Sequence, residues 1–265
     1  MQQHGERLPG SEMGSNGNSQ RYNFADFTQA NYRLLLRQAC RRFSPCSFVN
    51  FSTERNGQAI WRHDIDFSVH ESVAMAEIEA EEGVSATYFF LLHSECYNLI
   101  ERETTARARE IVGHGHRAGL HLDTRYWPIR SEEDFVAVLA RERVLLQDVL
   151  QAEVKAFAFH IPGDDARRFD ELVYDGMVNA YARVIMSHLA YCSDSNGYWR
   201  FRSLAEVLAD PTVENVQAVI HPEYWTETVT SPRERFERCV SGQAERARRW
   251  YRDTLAESRR EDVDW

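Results

Sequence analysis

The apolar positions of this chain follow two alternating periods. Between residues 59 and 159, β-prone runs at 59–67, 87–92, 119–122 and 154–159 are separated by stretches in which apolar residues recur every three or four positions, at 69–82, at 104–112 and from Phe135 through Val138, Leu139, Leu146 and Val149. The first pattern is that of a strand and the second that of a helix. Ser131 and Asp134 stand three residues apart ahead of the Phe135 stretch and predict a capping box. Upstream, a helical pattern from Asp26 through Tyr32, Leu35 and Leu36 leads to the run 47–51, read as the first strand. Downstream, β-prone runs at 182–186 and 216–220 flank a helix near Ala205. Repeated βα units favour a parallel sheet with its helices outside, and closure of such a sheet gives a barrel.

The two ends read differently. Residues 1–21 are rich in Gly, Ser, Asn and Gln and poor in large apolar side chains, so burial cannot offset their ordering entropy and a flexible tail is expected. Phe236, Val240, Ala244, Ala247, Tyr251 and Leu255 recur at helical spacing among arginines and glutamates. They predict a long amphipathic helix from about residue 231, packed on the barrel exterior. Residues 22–265 are expected to form a single domain, since 265 residues with 43% hydrophobic and 12% aromatic content suffice for one substantial core.

Charge narrows the partners. A formal net charge of −10 argues against nucleic acid. The first twenty residues lack the apolar run of a secretory signal and no segment has the uncharged length to span a bilayer, so the expectation is a soluble cytoplasmic protein. Cys40, Cys46, Cys96, Cys192 and Cys239 form no CxxC pair, which suggests neither a thiolate metal site nor a disulfide framework.

The segment Arg62-His63-Asp64-Ile65-Asp66-Phe67 carries the first chemistry. Two aspartates one residue apart on a strand project from the same face, roughly 7 Å apart. Their repulsion is relieved by a divalent cation, and a carboxylate that does not ligate it remains available as a base. The structural alternative is a pair of caps for the helix starting near Val69. His121 lies in a short strand after the glycine-rich turn 113–119, and imidazole with carboxylate suits zinc and neighbouring metals. His114 and His116 precede that strand, at the opposite end, and are assigned to surface or packing. His160 and His221 each end an apolar strand. Barrel strands converge their C-terminal residues on one mouth, so Asp64, Asp66, His121, His160 and His221 outline one site. Just beyond the strand ends lie Tyr126-Trp127, Tyr198-Trp199 and Tyr224-Trp225, pairs suited to stacking on sugar rings.

Arg62-His63-Asp64-Ile65-Asp66, Ala86-Thr87-Tyr88-Phe89-Phe90, Gly115-His116 through Gly119-Leu120-His121, His160-Ile161-Pro162-Gly163 and Val219-Ile220-His221 resemble, in that order, the motifs of the NodB-homology polysaccharide deacetylases, a carbohydrate esterase family. The full pattern, with the His-Pro-Glu-Tyr-Trp segment, resembles a divergent branch associated with lipopolysaccharide O-antigen biosynthesis. The resemblance implies a distorted (β/α) barrel of seven strands and a divalent metal, zinc. It makes Asp64 the general base, Asp66 and His121 metal ligands, and His221 the general acid, with Asp194 orienting it. The implied substrate is an N-acetylated amino sugar, nucleotide- or lipid-linked. Trp127, Trp199, Tyr224 and Trp225 would contact the sugar, and the Gly163 N–H would face the developing oxyanion.

The chain departs from that family at two positions. Four residues after His121, where the family has a second histidine, stands Arg125; where it has an arginine before the proline motif stands His160. A reciprocal exchange would make His160 the third ligand and give Arg125 the electrostatic support of Asp64. Asp123 is the alternative third ligand, and His93 a weaker rival. Two other functions remain open at this point: a carbohydrate-binding protein that has lost turnover, and a hydrolase of another non-peptide C–N bond.

Overall fold

Nine strands form one sheet in the computed structural model, which describes residues 15–263. They are β1 (Ser44–Cys46), β2 (Gln58–Ile65), β3 (Thr87–Leu91), β4 (Arg117–Leu122), β5 (Val154–Phe159), β6 (Val173–Tyr174), β7 (Met177–Asn179), β8 (Ala190–Ser193) and β9 (Val216–Ile220). Their spatial order is β6-β7-β5-β4-β3-β2-β9-β8, and every pairing is parallel except the β6–β7 hairpin. β1 lies off this path and pairs with Gln58–Ile60, the stretch of β2 that β3 leaves open because β3 starts pairing at Arg62. The helices are α1 (Ser15–Arg21), α2 (Gln29–Cys40), α3 (Val69–Glu81), α4 (Arg102–Gly113), α5 (Glu132–Leu150), α6 (Asp164–Arg168), α7 (Arg183–His188), α8 (Leu204–Ala209) and α9 (Pro232–Glu257).

Local sequence explains most boundaries. Ser68 caps α3, Glu101 caps α4, and Ser131, Ser203 and Ser231 open capping boxes at α5, α8 and α9, each side chain accepting backbone N–H groups that have no partner inside the helix. The central strands β2, β3 and β9 are buried along their whole length, and β4 and β5 at all but one residue, as parallel strands under helices must be. On the outer face Trp61, Ile65, Tyr88, Phe90, Leu120, Leu122, Phe157 and Ile220 meet the helices in the main core. On the inner face Ile60, Phe89, Ala156 and Ala158 pack with Phe48, Ile185 and Leu189. The interior is narrow. A Cβ added at Gly119 would lie 2.5 Å from two Phe89 ring carbons, so the glycine makes room for that ring.

Several expectations are corrected. The sheet is a distorted, open barrel as expected, a curled half-barrel in which β6 and β8 at the two ends of the order do not pair, but it has nine strands, eight in the order above and β1 off it, where seven were expected. The run 47–51 is a turn, closed by the Asn50 N–H on the Ser47 carbonyl at 3.0 Å. Val49 in it is exposed, and the preceding three residues take the free edge of β2 instead. The run 182–186 forms the N-cap and first residues of α7, where Ala182, Ile185 and Leu189 are buried and Arg183, Met186, Ser187 and His188 are exposed; this helical burial period overrides β-branched propensity. The short strands β6, β7 and β8 had no sequence signal. Of the expected tail, residues 1–14 lie outside the described residues, and Ser15–Arg21 is helical. α9 packs most deeply through its first turns, where Arg235 and Cys239 are buried and Phe236 meets Phe67 at 5.2 Å, and farther on it reaches α4 through the Arg249–Glu103 pair at 3.1 Å. Farther along, Tyr251 of the predicted stripe is 50% exposed, and ion pairs such as Arg252–Glu245 at 3.0 Å line the helix surface. All five cysteines are free.

One polar node sits inside the main core. Glu79 of α3 is fully buried; it accepts from the hydroxyls of Tyr32 and Tyr88, the latter at 2.7 Å, and lies 2.5 Å from His63 Nε2. His116 packs beside it, accepting from the Ala86 N–H at 3.2 Å through Nδ1 and donating to the Ala76 carbonyl at 2.9 Å through Nε2. Burial opposes the Glu79 charge, but His63, His116 and Tyr32 outweigh it and hold the pKa below the usual 4.5. A depressed carboxylate contributes stability that is present above its unfolded pKa and is lost as pH falls through the folded value. Glu79→Gln should therefore cost about 1.5–3 kcal/mol at neutral pH for each charged hydrogen bond lost. It should also flatten the acid-side decline of stability below about pH 4.5, measured by urea unfolding across pH. A variant as stable and as acid-sensitive as wild type would contradict this account.

Candidate active site

The C-terminal ends of β2, β4, β5 and β9 bring five side chains to one mouth: Asp64 and Asp66, His121, His160 and His221. Asp66 Oδ1 lies 3.3 Å from His121 Nε2 and 3.2 Å from His160 Nδ1, and those two nitrogens are 3.3 Å apart. Donors about 2.0–2.1 Å from a tetrahedral zinc are about 3.3–3.4 Å from one another, so this donor set fits such an ion. His121 Nδ1 donates to the Ala158 carbonyl at 3.2 Å, which leaves the Nε2 lone pair facing the cluster. Asp66 Oδ1 is buried and has no hydrogen-bond partner, a costly state that a cation would relieve.

Asp123 does not join this cluster. It caps its own turn, accepting from the Arg125 backbone N–H at 3.0 Å and from the Arg125 guanidinium at 2.9 and 2.6 Å. Arg125 therefore spends its charge on Asp123, and the electrostatic support expected of it at Asp64 comes from Arg62. Arg62 Nε and Nη2 donate to the two Asp64 oxygens at 3.0 and 2.6 Å, with Gln217 Oε1 at 3.1 Å and the Tyr181 hydroxyl at 3.0 Å accepting its remaining N–H groups. Phe89 and Tyr181 rings flank the guanidinium at 5.4 and 4.7 Å. Burial opposes both charges, but the pairing holds Asp64 ionised below its usual pKa and Arg62 protonated. The cue was in the sequence: Arg62 shares the period-2 face that links Asp64 to Asp66.

On the other flank, Asp194 Oδ1 accepts from the His221 ring Nδ1 at 2.7 Å and from the His221 backbone N–H at 2.9 Å, while Oδ2 accepts from Trp225 Nε1 at 2.7 Å. Burial works against the imidazolium, but the Asp194 hydrogen bond prevails and pushes the His221 pKa up to about 10. His221 Nε2, 3.8 Å from Asp66 Oδ2, presents its proton to the cluster.

The aromatic residues divide unexpectedly. Trp127, Trp199 and Trp225 each donate their indole N–H to a carboxylate, of Glu142, Asp26 and Asp194 respectively. Trp225 is fully buried and Trp199 packs on Phe27 at 5.2 Å, and neither lines the cleft. Trp127 leans on His93, whose Nε2 is held by Glu142 at 2.9 Å, away from the cluster. Gly163 is exposed at the start of α6, outside the cleft lining. Of the predicted contacts Tyr224 lines the cleft, an opening of about 860 Å³ whose other aromatic walls are Phe67, Phe159, Tyr181, Tyr191 and Phe201. Ile161 on its rim is 61% exposed at φ +50°, a strained conformation for a β-branched residue. His114 is exposed, in a surface group with Glu77 and Glu110.

No protein-family model and no curated protein matches the chain. Among solved structures, a CE4 family pseudoenzyme from Bacillus anthracis aligns at 13% identity and a TM-score of 0.41, covering 77% of this chain and 65% of that one. A mutant of it with restored enzymatic activity aligns at 14% and 0.41, over 77% of this chain and 67% of that one. A Streptococcus pyogenes deacetylase in complex with acetate aligns at 13% and 0.38, over 73% of this chain and 83% of that one. The chain thus spans about two thirds of the length of the pseudoenzyme chains, and likeness at this level leaves the chemistry to the chain's own residues.

Proposed function

We propose that the chain is a metal-dependent hydrolase that removes an N-acyl group, in the simplest case acetyl, from an amino sugar. One observation carries the reading: a three-donor cluster, Asp66, His121 and His160, stands between an arginine-held carboxylate, Asp64, and a carboxylate-held imidazole, His221. A divalent cation held by those three donors, zinc by their nitrogen and oxygen character, supplies a Lewis acid at the scissile carbonyl. Asp64, ionised and fixed by Arg62, accepts a proton from the attacking water. As the C–N bond breaks, His221 delivers the Nε2 proton to the departing amine, and Asp194, accepting from Nδ1, keeps the ring doubly protonated, as the imidazolium that can do so. The products are a carboxylate and a free amine. Tyr191, Tyr224 and Phe201 offer ring faces to the sugar.

The proposed setting is cytoplasmic biosynthesis of O-antigen or another surface polysaccharide, with a nucleotide- or lipid-linked amino sugar as substrate, and it rests on the motif resemblance alone. No helix among the described residues is long and apolar enough to cross a membrane. A second reading, a carbohydrate-binding protein without turnover, is favoured by one feature: both Asp64 oxygens face Arg62, which lowers the basicity of that carboxylate. Acetate release from a broad panel of N-acetylated sugars separates the two. Release abolished by a chelator and restored by zinc is expected; sugar binding with no release across the panel would establish the second reading.

Four variants test the assigned roles. Asp64→Asn should abolish turnover while the folded protein retains its zinc, and a variant with wild-type activity would remove Asp64 from the chemistry. His221→Ala should lower kcat by roughly two to four powers of ten with metal content unchanged, whereas an equally large loss of zinc would make His221 a ligand. His160→Ala should collapse zinc affinity in a titration that leaves Asp123→Ala near wild type. The reverse result would transfer the third position to Asp123.

A further inference from the structure

Asp66 lies one residue beyond β2, whose last pairing is that of Ile65 with Phe90, so no strand partner fixes its backbone. Three side chains hold it instead. Glu223, in the turn Pro222–Tyr224 that follows β9, is 1% exposed, and its Oε1 accepts both the Asp66 N–H at 2.8 Å and the Phe67 N–H at 2.5 Å. Ser94 Oγ donates to the Asp66 carbonyl at 2.9 Å, and the Tyr97 hydroxyl donates to the Ile65 carbonyl at 3.0 Å. Two consecutive N–H groups converging on one oxygen set the tilt of the peptide from which the Asp66 carboxylate projects. The Glu223 turn is itself anchored, since Arg238 of α9 donates to the Glu223 carbonyl at 3.2 Å and pairs with Glu71 of α3 at 2.9 Å.

We infer that Glu223 is a positioning residue for Asp66, aligning its carboxylate with His121 and His160; the inference rests on reading those three side chains as a metal site. Glu223 does not belong to the donor cluster, and its Oε1 is committed to the two N–H groups. A carboxylate serving only to fill the core would be poorly placed here, because it is buried beside the charge of Asp66, a cost that His221 offsets only in part. That cost is understandable if the acceptor orients a ligand. Partners that orient metal ligands typically carry a 10–100-fold share of metal affinity.

The test is zinc affinity, measured on the full chain by competition with a chromophoric chelator. Glu223→Ala should weaken zinc binding about 10–100-fold. Glu223→Gln, whose amide oxygen can accept the same two N–H groups, should bind close to wild type. Ser94→Ala, which frees the other side of the same peptide, should weaken binding in the same direction and carries the test if Glu223→Ala does not fold. Unaltered affinity in Glu223→Ala, or in Ser94→Ala if the former is unfolded, overturns the inference. So does a loss in Glu223→Gln equal to that in Glu223→Ala, since charge rather than hydrogen-bond acceptance would then matter. A wild-type chain that binds no zinc, or an Asp66→Asn variant that binds it normally, overturns the metal site and this inference together.

Discussion

A guanidinium with no exposed surface must be paired, and the pairing of Arg62 with Asp64 is the constraint on which the rest of the site depends. Both residues point to the inside of the curled sheet, on β2, the strand that joins β3 to β9. The charge of Arg62 is met by Asp64, its other N–H groups by Gln217 of β9 and by Tyr181, and its faces by aromatic rings. Each of these partners comes from a different part of the chain. The interior is therefore polar at the centre, and the carboxylate that looks out of it toward the mouth is held in one orientation and one charge state.

The same device recurs around the mouth with other partners. A backbone carbonyl sets the tautomer of His121, Asp194 holds His221 as the imidazolium, and Glu223 with Ser94 sets the peptide that carries Asp66. Groups at the mouth are thus oriented before any ligand arrives, which is the condition for electrostatic and acid–base chemistry without reorganisation. The indoles of Trp127, Trp199 and Trp225 are anchors in the layer behind, each tied to a carboxylate, and the cleft surface is left largely to tyrosine and phenylalanine. α9 belongs to this layer through Arg238, which braces the Glu223 turn.

Periodicity was enough to find the strands 154–159 and 216–220 at their observed ends and the helices α3, α4, α5 and α8 within a few residues, because alternation and capping are properties of neighbouring residues in the chain. The same local rules placed five candidate side chains at strand ends, and the convergence of parallel strands brought them together. What sequence left undecided was non-local. Which arginine reaches Asp64 depends on two side chains sharing one face of β2, whereas Arg125 finds Asp123 in its own turn. That Tyr224 and not Trp225 faces the cleft depends on the buried carboxylate of Asp194, which takes the indole N–H. Whether the sheet closes depends on the short strands β6, β7 and β8, too brief to show a period. Burial and partner choice are set by the three-dimensional neighbours a residue meets, and for 47–51 and 182–186 those neighbours prevailed over intrinsic β-propensity.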